Sequence, residues 1–462
     1  MASSSAALYQ KHIHLIGIGG AGLSAIARVL LERGAAVSGS DQRASPVTAE
    51  LSRAGAVIHI GHAAAQVAGA DLVVVSSAVP PDNPEVQAAR ERGIPVLKRA
   101  EFIGQLTADR RCIAVAGTHG KTTTTAMIAF ILSEAGFSPG FIIGARSLNL
   151  GTNARAGAGD YFVIEADEYD RMFLGLRPEV AVVTNVELDH PDCFDCLDDV
   201  TQAFRQFLER VPAEGCIVAN GDEGRITEML KGLAVEKKET FGLSRAVDWR
   251  AADPACGAQG GYDFFLYHRA TPLGPFSLAL PGMHNVLNAL AAIAAKTEVG
   301  IDLHTIQEEL ARFEGTDRRF EHKGTVGGIT VVDDYAHHPT EIRATLAAAR
   351  ARYLGRPLWV VFQPHTYSRF KALLREFAQS FDLADHVIVT DIFSARESDT
   401  LGVQAADILP LLRHPDARYL SGFEEIVGFL QSRLRPGDVC ITLGAGDCNL
   451  LGEMLLERLR AA

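Results

Sequence analysis

No apolar run in these 462 residues approaches the roughly 18 to 20 needed to cross a bilayer, so no membrane partner is expected. Aromatic residues make up only 7%, and the cysteines number seven, an odd count scattered at positions 112, 193, 196, 216, 256, 440 and 448. Such scatter gives no disulfide framework and suits a reducing, cytoplasmic setting. Positive charge is also scarce: 44 Lys and Arg face 56 Asp and Glu, for a net charge of -12. A broad surface for nucleic acid or anionic lipid is therefore excluded, although a local basic pocket is not. The opening MASSSAALYQ lacks a basic segment leading into an apolar stretch, so no secretion signal is read there. Cys193 and Cys196 have CxxC spacing, but no second Cys or His pair stands at zinc-finger distance, and we read the spacing as chance within a loop.

What is present is an ordinary globular composition, 47% hydrophobic and 22% charged. At roughly 100 to 200 residues per domain, the length favours three domains. Short apolar strands alternate with helical stretches (HIHLIGI, Ala21 to Arg33, AAVSGS, Thr48 to Arg53, DLVVVSS, IPVLKR), which is a βαβ rhythm. It restarts after a polar stretch near Thr107 with CIAVAGTHGKTTTTAMIAFIL, and again after FEGTDRRFE with GITVVDDYAHHPTE. The expected fold is α/β with a Rossmann-like domain over 1–108, a central P-loop-like domain over 109–316 carrying antiparallel strands near Tyr262 to Leu280, and a second Rossmann-like domain over 317–462.

Two loops of different kinds carry phosphate chemistry. Gly17, Gly19, Gly20 and Gly22 lie in a GIGGAG turn after the first strand, and Asp41 ends the next strand 19 residues past Gly22. Glycines at a strand-to-helix turn let backbone N–H groups approach a diphosphate, while the carboxylate accepts from a ribose hydroxyl. The pattern alone serves NAD, FAD, a nucleotide sugar or a ligand-free turn equally. The second loop, Gly117-Thr118-His119-Gly120-Lys121-Thr122-Thr123, sits between a strand and a helix and has the parts that hold a nucleoside triphosphate. Lys121 meets the β and γ phosphates, and the Thr122 hydroxyl joins Mg²⁺. The loop is shorter than the usual GxxxxGK[ST], with Val115 where the first glycine would stand. A simple dehydrogenase has no use for a triphosphate clamp, so two phosphate-bearing substrates explain both loops best.

Downstream, YFVIEADEYD brings Glu165, Asp167, Glu168 and Asp170 to a strand end, and AVVTNVELDH brings Glu187, Asp189 and His190 to the next. Such a set either ligates a divalent ion beside the triphosphate or forms a solvated acidic loop. His284, Asn285 and Asn288 open a helix and offer hydrogen bonds to an adenine edge, or simply cap that helix. In the last third, Asp334, His337, His365 and Arg369 follow two strands, and the planar fork of Arg369 suits a carboxylate or phosphate.

Taken in order, HLIGIGGAGLSAIA, VVVSSAV, AGTHGKTTTT, EADEYD, TNVELDH, GMHNVLN, FEGTDRRFE, DDYAHHPTE, FQPHTYSR and GAGD resemble the Mur ligases of peptidoglycan synthesis, in their alanine-adding branch, from about Ile13 to Gly446. The resemblance implies an ATP-dependent ligase that joins L-alanine to the lactyl carboxylate of UDP-N-acetylmuramate, with ATP and Mg²⁺ (or Mn²⁺ in its place) as cofactors. It implies that Gly17 to Gly22 and Ser77 lie at the UDP diphosphate, that Thr122, Glu165 and His190 hold the metal, and that Asn285 and Asn288 belong to the ATP site. It further implies that Arg319 is the interdomain arginine, that Asp334 lies by the ribose, and that His337, His365 and Arg369 face the sugar carboxylate and the incoming alanine. His190 and His337 are the candidates for proton relay, beside assistance from substrate phosphate. Tyr169 stands where many alanine-adding members carry Ser and matches the tripeptide-recycling branch, which is the runner-up, whereas FQPHTYSR is the alanine-adding form. An NAD-dependent oxidoreductase built on GIGGAG is the rival of another class. Oligomeric state is not set by these residues.

Overall fold

The computed structural model describes residues 7–257, 260–395 and 397–461; the small polar opening read above falls mostly outside them. Three sheets divide the chain. The first is parallel, in the order Val57–Ile60, Ala36–Asp41, His12–Ile16, Leu72–Val75, Val96–Lys98. Its chain reverses direction beside His12–Ile16, so the glycine turn at Gly17 opens at the point where sheets of this kind leave a crevice. The helix expected from Thr48 begins earlier, at Pro46, because the Ser45 side chain accepts from Thr48 N–H and Pro46 has the fixed φ of a first helical residue. Between the strand Val96–Lys98 and the polar stretch near Thr107 lies a helix that the sequence reading did not anticipate, Arg99–Thr107, whose Phe102, Ile103 and Leu106 are buried.

The middle sheet has ten strands. Its parallel centre runs Lys237–Gly242, Cys216–Asn220, Val180–Val183, Arg111–Ala116, Tyr161–Glu165, Gly140–Ile142. Trp249–Cys256, Tyr262–His268 and Thr271–Leu278 extend one edge, the last two paired antiparallel as expected. Arg111–Ala116, buried from Cys112 onward, pairs with a strand on each side. A strand covered on both faces needs continuous apolar residues, which RCIAVA supplies. The helix Lys121–Glu134 is buried from Thr122 to Leu132 and packs on the buried face of Met283–Thr297, with Phe130 5.9 Å from Phe313 between ring centroids. Fully burying each such Ile or Phe contributes about 1.5–3 kcal/mol, so the loop ahead of this helix stands on a rigid base.

The third sheet orders Glu321–Val326, Ile329–Asp334, Val439–Leu443, Leu358–Phe362, His386–Val389, Ala417–Tyr419, parallel except for its first pair. The helix Pro339–Arg352 leaves the end of Ile329–Asp334 and is capped by His338, which accepts from Thr340 N–H while Glu341 reaches back to the cap. That helix start lies against the lysine loop of the middle domain. Among the described residues no helix is long and apolar enough to cross a membrane.

Candidate active site

The lysine loop is shaped by backbone requirements that only glycine meets. Gly117 has φ 146° and Gly120 has φ 80°, both in the region that L side chains avoid. A Cβ on Gly117 would collide with Thr184 and one on Gly120 with Asn288. The loop is tied to the neighbouring strand end: Thr118 N–H donates to Asn185 O (3.1 Å), His119 N–H to Asn185 Oδ1 (2.7 Å), and Thr184 Oγ1 to His119 O (2.5 Å). Lys121 Nζ curls back onto Gly117 O (2.5 Å) and Thr118 O (3.0 Å) and pairs with Glu168 (2.9 Å). Burial pulls its ammonium down, but Glu168, Asp167 and Glu165 outweigh that and hold it above its ordinary value, so it stays charged.

Around this lysine the acids fall into two groups. Thr122 Oγ1 donates to Glu165 Oε1 at 3.0 Å, and Glu165 Oε2 accepts from Gly144 N–H at 2.7 Å. Oxygen donors at the mouth of a phosphate loop fit a hard ion of the Mg²⁺ kind. His190, expected beside them, has its Nε2 3.8 Å from Glu168 and 3.7 Å from Asp189, with its backbone held at φ 55°. For a non-glycine residue that is a strained position, of the sort found at functional sites. Asp189 accepts from His190 N–H (2.7 Å) and from Arg369 Nε (2.7 Å), in an ion pair about 95% buried on both sides that joins the middle and third domains. Despite burial, Arg369 and His190 hold the Asp189 carboxyl well below the usual carboxylate range. Arg369 also donates to His365 O (2.8 Å) and Nδ1 (3.1 Å). The arginine expected to face a substrate carboxylate is thus already neutralised on one edge by Asp189.

A cavity of about 240 Å³ opens from the loop and is lined by Gly120, Thr122, Thr123, Asn285, Asn288, His284, Arg319 and Asp334, so the structure brings these expected residues together. Asn285 Nδ2 donates to Pro281 O (2.7 Å) and Asn288 Nδ2 to Asn285 Oδ1 (3.1 Å). Asp334 accepts from Phe320 and Ala336 N–H, both at 2.8 Å, and burial raises its carboxyl to about 6. Arg319 approaches Glu341 at 3.7 Å and lies 5.0 Å from the Tyr335 ring centroid. Burial keeps His284 neutral, down to about 4, and His337 to about 3. His337 Nδ1 lies 2.9 Å from Tyr335 O, a contact that assigns the proton to Nδ1 and leaves Nε2 as acceptor. His365 is likewise neutral, at about 4.

The first glycine loop lies at a second cavity of about 210 Å³, between the first and middle domains, which Gly22 and Glu165 both line. Asp41 Oδ2 accepts from Gly19 N–H at 2.9 Å, and the residue set against Gly17 is Ser76, next in the chain to the expected Ser77. The cation there is Arg99, which sequence reasoning missed. Its guanidinium sits where a Cβ on Gly22 would be, and it pairs with Asp167 at 2.9 Å. Glu223 was missed too: it lines the larger cavity, accepts from Val186 N–H at 3.3 Å, and is pushed up to about 7 by burial. Glu341 could have been found as the residue three after the cap His338 in the HHPTE capping box, whereas nothing local marked Arg99 or Glu223. Tyr169 packs edge-on against His190, 5.1 Å between centroids, and donates to Asp192 at 3.0 Å. Cys193 and Cys196 are free thiols.

Three family profiles match consecutive parts of the chain: "Mur ligase family, catalytic domain" over residues 12–111, "Mur ligase middle domain" over 115–296, and "Mur ligase, glutamate ligase domain" over 318–446. The UDP-N-acetylmuramate--L-alanine ligase of Caldanaerobacter subterraneus subsp. tengcongensis is 45% identical over 451 residues, covering 97% of both chains. That of Geobacter sp. (strain M21) is 47% identical over 456 residues, covering 98% of both. Among solved structures, the UDP-N-acetylmuramate-alanine ligase of Thermotoga maritima superposes with a TM-score of 0.83 at 29% identity, over 98% of this chain and 99% of that one. A murein peptide ligase of Psychrobacter arcticus gives 0.75 at 30% identity, over 97% and 98%.

Proposed function

This chain belongs to the Mur ligase family, and on that premise we propose that it joins L-alanine to the lactyl carboxylate of UDP-N-acetylmuramate, converting ATP to ADP and phosphate. The single observation that carries the reading is the lysine loop, whose cavity is shared with Asn285, Asn288, Arg319 and Asp334 and whose Thr122 donates at 3.0 Å to Glu165, a residue lining the cavity of the first glycine loop. Two nucleotide substrates seated on those loops would bring a γ-phosphoryl and a sugar acid to one place. An oxidoreductase gives the lysine loop nothing to do.

A carboxylate is a poor electrophile. One of its oxygens attacks the γ-phosphorus and ADP leaves; the amine of alanine then attacks the acyl carbon, and phosphate departs with that oxygen and takes up the proton the amine gives up. Lys121 exchanges Glu168 for the phosphates, retaining its charge throughout. Thr122 and Glu165, with His190 at the neighbouring strand end, would hold Mg²⁺, or Mn²⁺ in its place. That ion supplies neutralising charge to the transferring phosphoryl group. Arg319 reaches the same cavity from the third domain and adds a second fixed positive charge. Arg369, held by Asp189 at Nε and by His365 at Nη1, would present Nη2 to a carboxylate. His337, neutral and with Nε2 free to accept, orients the incoming amine; its low basicity suits a hydrogen-bond acceptor better than a stored base.

The test is phosphate release from ATP with UDP-N-acetylmuramate across a panel of amino acids and L-Ala-D-Glu-meso-diaminopimelate. Release with L-alanine and formation of the amide are expected. Release with the tripeptide alone would transfer the protein to the recycling branch, and NADH binding without phosphate release would end the ligase reading.

A further inference from the structure

One cluster at the interface between the middle and third domains is given no chemical step in the reaction above, although two of its members, His119 and Glu187, line the cavity of the lysine loop. His119 comes from the lysine loop, Glu187 from the end of the strand Val180–Val183 and its following turn, and His338 from the cap of the helix Pro339–Arg352. One ligand atom from each lies within 4.8 Å of the others. His119 Nε2 is 3.6 Å from Glu187 Oε2, and His338 Nδ1 is 3.8 Å from the same oxygen. Two ligands of a tetrahedral Zn²⁺, each about 2.0–2.1 Å from the ion, stand about 3.4 Å apart, so the two edges to Glu187 need to shorten by a few tenths of an ångström, and the third, between the two imidazoles, lies within 4.8 Å.

The surroundings are those of a metal site. His119 Nδ1 meets the Glu341 carboxylate at 3.1 Å, the carboxylate–imidazole arrangement that turns the opposite ring nitrogen toward a metal and raises its basicity. Glu187 Oε2 is itself oriented by Thr340 Oγ1 at 2.7 Å. The buried Nε2 of His119 faces Glu187 Oε2 at 3.6 Å, beyond hydrogen-bond range, and Nε2 of His338, whose side chain is 6% exposed, has no hydrogen-bond partner among the described residues. Burial lowers the His119 imidazole but Glu341 and Glu187 outweigh it and raise it to about 9, so an ion bound here displaces a proton from His119. His338 Nδ1 accepts from the Thr340 N–H at 3.3 Å, a long contact that an ion bound at this nitrogen would replace. Two imidazoles and one carboxylate select a borderline transition ion over Mg²⁺, which takes oxygen ligands such as Thr122 and Glu165.

We propose that His119, Glu187 and His338 bind one divalent ion of the Zn²⁺ class, which staples the third domain to the lysine loop and stops turnover. The site is separate from that of Mg²⁺, and its existence does not depend on which amino acid the enzyme ligates. An ion here ties a loop that must receive nucleotide to a helix that must move away to admit it.

Co²⁺ titrated into the nucleotide-free full chain reports the site directly. The expected result is a strong visible absorption of tetrahedral Co²⁺ saturating at one equivalent, lost in His338→Asn, where the Asn side chain can still cap the helix. Glu187→Gln provides a second variant should His338→Asn fail to fold, and it too should lose the band. In assays saturated with Mg²⁺ and ATP, low micromolar Zn²⁺ should cut wild-type turnover at least about tenfold, and His338→Asn turnover by less than about twofold of its own rate without Zn²⁺. A weak six-coordinate spectrum, a band that survives in both variants, a thiolate band that vanishes with Cys193→Ser, or equal Zn²⁺ sensitivity of wild type and His338→Asn would each overturn the proposal.

Discussion

The two glycine-bearing loops face opposite electrostatic surroundings. The first, Gly17 to Gly22, has Asp41 locked onto its own backbone and one arginine, Arg99, brought against Gly22 from the end of the same domain. The second, Gly117 to Thr123, carries its own lysine and is hemmed by Glu165, Asp167 and Glu168, with the third domain seated on it through His119–Glu341 and Thr340–Glu187. The first therefore suits a diphosphate that needs one fixed cation and is not consumed. The second keeps a charged lysine in an internal ion pair, ready to be traded for a triphosphate and its metal, beside the third domain. The contrast separates holding a substrate from activating one.

The sharpest way to break the comparison is Lys121→Ala. Turnover should fall by at least about 10³-fold while affinity for the sugar nucleotide, measured by calorimetry, moves by less than about twofold. Equal losses in both would mean that the loops do not divide the labour. A smaller effect is expected for Arg99→Ala: loss of one charge-assisted contact should raise KM for the sugar nucleotide about tenfold and leave KM for ATP unchanged. A rise confined to ATP would reverse the assignment of the loops.

The smallest effect tests the acidity around the second loop. The Glu223 carboxyl sits at about 7 in the folded protein against 4.5 for the free group. Both states are protonated below about pH 4.5, so Glu223 then costs nothing; as pH rises the unfolded chain ionises first and stability falls, until the folded group ionises near 7 and the loss becomes constant. Glu223→Gln should therefore raise Tm of the ligand-free protein by roughly 2–4 °C above pH 7 and by nothing below about pH 4.5. A pH-independent difference would show that Glu223 does not titrate in this way.

The motifs legible in the sequence are those whose chemistry is local. GIGGAG and GTHGKTT announce their turns because glycine's positive φ and the adjacent lysine lie within a few residues, and the three-domain α/β architecture follows from strand and helix rhythm on either side of them. The contacts that complete the site are long-range: Arg99 meets Asp167 68 residues on, Asp189 meets Arg369 180 residues on, and His119 meets Glu341 222 residues on. An arginine in KRAEF or a glutamate in GDEGR carries no mark of where the chain returns to it. The helix Arg99–Thr107 escaped notice because its buried face is only Phe102, Ile103, Leu106 and Thr107, too short a stripe to stand out.

The central claim is that the lysine loop energises a sugar acid by transferring a phosphoryl group to it. UDP-N-acetylmuramate with heavy oxygen in both positions of its lactyl carboxylate, turned over with ATP and L-alanine, tests this directly by mass spectrometry of the released phosphate. One labelled oxygen in each phosphate, and one retained in the amide, is the predicted result; phosphate without label would contradict it.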